Sequence, residues 1–254
     1  MKEIIKTTIR PLIKRFGFDI VRHQKKDVYP RDFSEQDIEI CEIVRPYTTT
    51  SPERVNALIG AVHYVVKNKI DGAMVECGVW KGGSTMVMAL TLKNLGDESR
   101  ELYLYDTFSG MSAPTDVDVS IDGAKADDTF SQTKISEASS DWFSCSLDEV
   151  KENLFATGYP KEKIHFIKGK VEDTIPTKVP NGIAVLRLDT DWYESIKHEM
   201  THLFPLLKQN GVLVIDDYGC WEGARKAIDE YISDNNIRIL LNRIDYTGRI
   251  AIKI

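Results

Sequence analysis

The sequence predicts an α/β fold: a doubly wound, mostly parallel sheet that ends in an antiparallel strand and follows an N-terminal helical extension. Short apolar runs of strand length alternate with segments of helical period from residue 34 onward, the pattern of a parallel sheet covered on both faces. Two of those runs end in paired acids. The last two flank Tyr246-Thr247-Gly248, as in a hairpin, and so add an antiparallel strand.

The elements can be read in order. Ser34 with Asp37 forms a capping box for a helix carrying Ile38, Ile40, Ile43 and Val44, which Arg45-Pro46 ends. Ser51-Pro52-Glu53 starts another helix, with Ser as N-cap and Pro at the first helical position; Val55, Leu58, Ile59, Val62 and Val65 give its buried stripe. Residues 73–79 are a buried strand, followed by a glycine turn and an apolar helix to about 95. A second strand covers 102–106. Residues 107–145 are polar and poorly periodic, and are expected to form a lid with short helices. Ser146 and Glu149 make a capping box for the next helix, which ends near Gly158. Strands follow at 164–168, 183–189 and 212–216, with helices at 193–208 and 224–232. Segments 237–244 and 249–254 form the closing hairpin.

The chain has 254 residues, 42% hydrophobic and 28% charged, enough for one large domain with a full core. Its net charge of −6 disfavours a globally basic nucleic-acid binder. The charge is uneven: residues 1–30 hold eight Lys/Arg against Glu3, Asp19 and Asp27. Within this basic arm (1–32) Ile5, Ile9, Leu12, Ile13 and Phe16 follow a helical stripe. Peripheral contact with an anionic inner-membrane surface is one reading; packing on the body (33–254) or on a second subunit is the other. No apolar run reaches membrane-spanning length, and no continuous apolar stretch marks a signal peptide. Cys41, Cys77, Cys145 and Cys220 are scattered without a CxxC pair, which fits a reducing cytoplasm better than a disulfide framework.

In such sheets ligands bind beyond the carboxyl ends of the strands. The first strand leads into Glu76-Cys77-Gly78-Val79-Trp80-Lys81-Gly82-Gly83-Ser84, where glycines permit close approach and the next helix offers N-terminal amides. The spacing is not GxGxxG. Glu76 would repel a pyrophosphate yet can meet an amino-acid ammonium, which favours S-adenosylmethionine (SAM) over NAD. Asp106 ends the second strand, where an acid can accept both ribose hydroxyls. Glu172, after the third strand, is a candidate polar contact near the adenine.

The strongest signal is acidic. Leu188-Asp189-Thr190-Asp191 and Ile215-Asp216-Asp217 end the fourth and fifth strands, which are neighbours about 4.8 Å apart in the usual order. Four carboxylates so placed repel unless neutralised, and an all-oxygen set selects Mg²⁺ or another hard divalent cation. Pairing with Arg187, Arg225 or Lys226 is the competing reading.

The runs VECGVWKGGS, YDTFSGM, GKVEDTIP, RLDTDWYES and VLVIDDYGCWEGARKAIDEY resemble the macrocin O-methyltransferase family (TylF/MycF/NovP type) of sugar O-methyltransferases, over roughly residues 45–254. The resemblance implies a class I SAM-methyltransferase (Rossmann-like) fold. It implies a SAM- and Mg²⁺-dependent enzyme, often oligomeric, that methylates a sugar hydroxyl in a natural product or surface-polysaccharide precursor. It places Asp189, Asp216 and Asp217 on the metal, Asp191 as general base, and Glu76, Gly78, Ser84 and Asp106 around SAM. Residues 46–50, with Thr48, match a segment that helps cover the cofactor.

Two motifs compete weakly. His198-Glu199-Met200-Thr201-His202 matches HExxH, but both histidines fall opposite the expected buried face. Tyr159 and Lys163 copy a dehydrogenase spacing, but Pro160 denies them a shared helix. Asp189-Thr190-Asp191 also suits a DxD nucleotide-sugar glycosyltransferase, and a non-catalytic SAM-fold binding protein is a third reading. Trp192 and Trp221, beside the acids, are the favoured tryptophans for a sugar pocket.

Overall fold

Seven strands form the central sheet of the computed structural model, which describes residues 13–15, 17 and 29–254. The chain divides into two units, Met1–Phe33 and Ser34–Ile254. The stripe expected from Ile5 to Phe16 lies outside the described residues, Ile13 excepted. No described helix is long and apolar enough to cross a membrane.

The second unit begins with α1 (Glu35–Val44) and α2 (Pro52–Lys67). Both start as their sequences dictate. Ser34 Oγ accepts from the Asp37 amide while the Asp37 side chain accepts from the Ser34 amide, and Ser51 Oγ accepts from the Arg54 amide. There follow β1 (Ala73–Cys77), α3 (Gly83–Asn94), β2 (Leu102–Asp106), α4 (Ala126–Thr133), β3 (Lys134–Ser136), β4 (Ser139–Ser140), α5 (Leu147–Ala156), β5 (Ile164–Lys168) and α6 (Val171–Thr174). The chain continues through β6 (Ile183–Leu188), α7 (Tyr193–His202), β7 (Leu207–Ile215), α8 (Glu222–Asp234), β8 (Asn242–Arg243) and β9 (Arg249–Ile252).

The sheet order is β5-β2-β1-β6-β7-β9-β8. The first five strands are parallel; β9 runs antiparallel between β7 and β8. Every residue of β1 and β6 is buried, as central strands covered on both faces require. The switch in strand order falls between β1 and β6, where the register aligns Cys77 with Leu188 and Leu188 with Ile215. Gly78, Asp189 and Asp216 therefore leave three adjacent strands at one level.

Three boundaries depart most from the sequence reading. α7 ends at His202, because Pro205 cannot continue the ladder, and β7 begins at Leu207 instead of 212. In segment 237–244 only Asn242 and Arg243 pair with β9. Ile237, Ile239 and Leu241 do pack on the core in alternation, but outside any strand.

The predicted lid carries α4 and the β3–β4 pair, and it is anchored on both sides. The Ile121 amide donates to the Cys220 carbonyl and the Glu222 amide to Val119. Asp118, 1% exposed, accepts from the Tyr193 amide at 2.8 Å and from the Thr115 amide and hydroxyl. It thus serves a free donor in the first turn of α7. Asp118→Ala is expected to cost about 1–3 kcal/mol and to speed tryptic cleavage at Lys125 and Lys134, read by urea melts and limited digestion.

Candidate active site

The carboxyl tips of β1, β6 and β7 open into a cavity of about 280 Å³, bounded also by residues 47–50 and the lid. Gly78 is fixed by the crossing of two chains: φ is +80°, and a Cβ there would lie 1.9 Å from the Asp189 carbonyl oxygen. The turn after β1 thus runs directly over the backbone of the β6 tip. Gly78→Ala is expected to force these strand ends apart and to lower the melting temperature, measurable by differential scanning calorimetry.

The structure brings Thr48, Glu76, Gly78, Ser84, Asp106, Asp189, Asp191, Asp216 and Asp217 to this one cavity. Glu172 lines an adjoining cavity that shares Gly78, Asp106 and Asp189; its carboxylate accepts from the Ser195 hydroxyl at 2.7 Å. Asp106 accepts from the Val79 and Trp80 amides at 2.6 and 3.1 Å and from the Phe108 amide at 2.7 Å. It therefore shapes the glycine turn as well as facing the cavity. Thr48 bonds the Thr50 hydroxyl at 2.9 Å.

Asp189, Asp216 and Asp217 each offer an oxygen within 4.8 Å of the others, the one such group among the described residues. The competing reading of these acids is half realised, because Arg187 does pair with them. This guanidinium, on β6, meets Glu76 Oε1 and Asp189 Oδ2 at 2.7 Å and Asp216 Oδ1 at 2.5 Å. Glu76 is 1% exposed, and its second oxygen takes the Thr85 hydroxyl. The carboxylate expected to meet an ammonium already has two protein partners, which leave it fewer lone pairs for a ligand. Arg54 of α2, not singled out by the sequence, bonds Asp216 from the other side and Asp245 at 2.9 Å. Arg225 and Lys226 form no ion pair with these acids.

Two guanidinium groups thus stand among six carboxylates: Asp245 and the five that line the cavity, Glu76, Asp189, Asp191, Asp216 and Asp217. The surplus negative charge shows in the titration behaviour. Burial and the charges of Asp191 and Asp216 drive Asp217 well above the ordinary carboxylate range. Burial and the charge of Asp189 push Asp191 up to about 8. Burial also raises Asp189, although 27% of its side chain opens to the cavity and water softens the effect. Asp217 Oδ2 is buried without a hydrogen-bond partner. An orphaned carboxylate oxygen among hard oxygen donors with surplus negative charge fits a divalent cation.

Asp191 sits in a left-handed turn, φ +65°, and lines the cavity with Asp217 and Trp221. Trp80 (φ +47°) and Phe143 (φ +51°) are also left-handed and line the same cavity. Strained non-glycine backbone gathered at one cleft is a mark of functional sites.

Several sequence candidates are structural. Trp192 is 2% exposed and donates to the Ser112 carbonyl, so it belongs to the core rather than to a sugar pocket; Trp221 does reach the cavity. His198 and His202 are half-buried, not fully solvent-facing; His198 contacts the Ile175 carbonyl, and Glu199 is buried against Thr190. Tyr159 donates to Arg100 O and Lys163 pairs with Glu101.

Among curated proteins the chain is 30% identical over 202 residues to 8-demethyl-8-(2,3-dimethoxy-alpha-L-rhamnosyl)-tetracenomycin-C 4'-O-methyltransferase of Streptomyces olivaceus, covering 80% of this chain and 74% of that protein. It is 30% identical over 226 residues to demethyldecarbamoylnovobiocin O-methyltransferase of Streptomyces niveus, covering 85% and 83%. Among solved structures the O-methyltransferase NovP superposes with a TM-score of 0.71 at 26% identity, covering 99% of this chain and 98% of that one. The sheet order and antiparallel strand are those of class I SAM-methyltransferases. The family model for macrocin-O-methyltransferase (TylF) matches residues 13–251, and the chain belongs to that family of SAM-dependent O-methyltransferases.

Proposed function

We propose that this enzyme methylates a sugar hydroxyl, on a natural-product glycoside or a surface-polysaccharide precursor, with Asp189, Asp216 and Asp217 holding Mg²⁺ and Asp191 as general base. The observation that carries this reading is the convergence of three strand-tip aspartates beside Asp191, in the cavity that also holds the glycine turn. Family membership displaces the glycosyltransferase and non-catalytic readings. The substrates named for the curated relatives, a rhamnosyl tetracenomycin among them, support a sugar acceptor.

A divalent cation would polarise the acceptor oxygen, and SAM would supply a methyl on a sulfonium leaving group. The protein's own groups do the rest. Thr48, Gly78, Ser84 and Asp106 line the cofactor end of the cavity, with Glu172 beyond. Arg187 and Arg54 orient Asp216 from both sides. Asp191, beside Asp217 and Trp221 in the cavity, takes the hydroxyl proton. The anchored lid excludes water.

Activity is expected to vanish in EDTA and to return with MgCl₂; full turnover in chelator would dismiss the cation. A pH effect should accompany it. Asp191 is raised from an ordinary value near 4 to about 8, so between those pH values the folded, metal-free protein binds more protons than the unfolded chain. Its stability therefore falls as pH rises through that window. A cation replaces those protons. The gain in melting temperature from MgCl₂ is expected to be larger at pH 8 than at pH 6, which differential scanning fluorimetry can measure.

A further inference from the structure

The core face of α7 carries one side chain that packing does not call for. Ile196, Met200 and Leu203 follow a helical stripe into the hydrophobic core, and Glu199 stands among them, fully buried. A carboxyl group taken out of water is costly, and burial holds this one well above the ordinary carboxylate range. Its Oε1 accepts from the Thr190 hydroxyl at 3.0 Å, while Oε2 is buried with no hydrogen-bond partner. Methionine or leucine would fill the same place without that penalty. The carboxyl group is explained by the partner it holds.

Thr190 lies between Asp189 and Asp191. The Trp192 amide donates to the Thr190 carbonyl at 2.7 Å, which closes a three-residue turn with Asp191 at its centre. With φ at +65° on Asp191 this is the rare, strained form of γ-turn, and it persists only where the surroundings enforce it. The exit is held by the lid: the Trp192 indole donates to the Ser112 carbonyl at 2.9 Å, and the Tyr193 amide to Asp118 at 2.8 Å. The entry is held by the sheet as far as Asp189, whose amide donates to the Cys77 carbonyl. Between these two anchors Glu199 grips Thr190 through its side chain.

Asp191 lines the cavity from the apex of this turn, so a turn that relaxed would aim its carboxylate elsewhere. The grip comes from the body of α7, which Ile196 and Met200 root in the core, and it is as rigid as that helix. A neutral acid is enough for the task, because the Thr190 hydroxyl needs an acceptor and not a charge.

We propose that Glu199, acting through the Thr190 hydroxyl, is a positioning residue that keeps the turn from Asp189 to Trp192 in the geometry methyl transfer requires. Its effect on rate rests on the proposed base role of Asp191; its effect on the turn does not.

The test compares the full-length wild type with Glu199→Met, Glu199→Gln and Thr190→Val. Tryptophan-selective ¹⁵N labelling reads hydrogen exchange at the Trp192 amide, expected to quicken about tenfold in Glu199→Met and Thr190→Val, the worth of one lost hydrogen bond. With Mg²⁺, labelled SAM and p-nitrophenyl α-L-rhamnoside, kcat is expected to fall about tenfold in the same two variants, while the glycoside KM and the SAM affinity stay unchanged. Glu199→Gln keeps a neutral acceptor and should recover most of both losses. The double variant Glu199→Met with Thr190→Val should be no worse than either single one. Glu199→Met should also melt at or above the wild-type temperature, as expected when an apolar side chain replaces a buried carboxyl; a merely structural carboxyl would give the opposite. Unchanged Trp192 exchange in both variants overturns the clamp. So does a Glu199→Met protein that melts below wild type and loses SAM affinity along with rate. Faster exchange at an unchanged kcat overturns the positioning role. A wild type that binds SAM yet leaves the glycoside unmethylated counts against the sugar reading, and the exchange comparison then decides the clamp by itself.

Discussion

Asp191→Asn is expected to bind SAM with wild-type affinity and to lose about 10²–10⁴-fold in kcat, the usual worth of a positioned general base. The substitution suits the site. Asparagine tolerates the left-handed backbone that Asp191 adopts, and its side chain has nearly the same shape. What it cannot do is take a proton. Calorimetry with SAM and rapid-quench measurement of methyl transfer separate the two properties. A variant that turns over at the wild-type rate removes Asp191 from the base role and leaves Asp189 or Asp217 to fill it.

Arg187→Met should have the largest effect on stability. Arg187 is 2% exposed and contacts Glu76, Asp189 and Asp216 at once. A buried charge stripped of its partner typically costs about 3–5 kcal/mol, and in a chain of this size each kcal/mol lowers the melting temperature by about 2–4 °C. A fall of roughly 10 °C is therefore expected. Its pH dependence follows from the carboxylates left behind. Glu76 is already raised by burial, with the Arg187 charge opposing that rise. Without Arg187 its folded value climbs further above the unfolded one, so the folded variant holds extra protons. Stability then drops as pH rises above the ordinary carboxylate range, and the deficit is smallest at the acid end. Thermal melts of both proteins across that range check the claim, and a variant melting within a degree of wild type at pH 8 would refute it.

The sequence exposes the site wherever chemistry is local to a strand end. The apolar runs of β1, β6 and β7 stop at Gly78, Asp189 and Asp216, and parallel pairing then leaves little freedom in where those residues meet. Arg187 was visible as a charge inside an otherwise apolar run, and its partners follow from the neighbouring strands. Arg54 carried no such signal. It stands in the first turn of α2, where a cation reads as a solvent-facing residue, and only the tertiary fold brings it to Asp216 and Asp245. The internal order of segment 107–145 was illegible for a similar reason: it comes from Asp118, Val119 and Ile121 reaching α7 and the start of α8, not from any period of its own. Residues 237–241 kept the alternation of a strand and its partial burial, yet pairing with β9 begins only at Asn242.

The left-handed backbone at Trp80, Phe143 and Asp191 bears on how this enzyme can be engineered. Glycine at Asp191 would relieve about 1–2 kcal/mol of steric cost and the repulsion of a crowded carboxylate, whereas at Trp80 or Phe143 it would also forfeit ring contacts, so a search for heat tolerance alone would select the Asp191 replacement early. That change would also delete the carboxylate proposed as the base. Thermostable descendants chosen without a turnover assay should therefore drift toward sturdy, inert proteins.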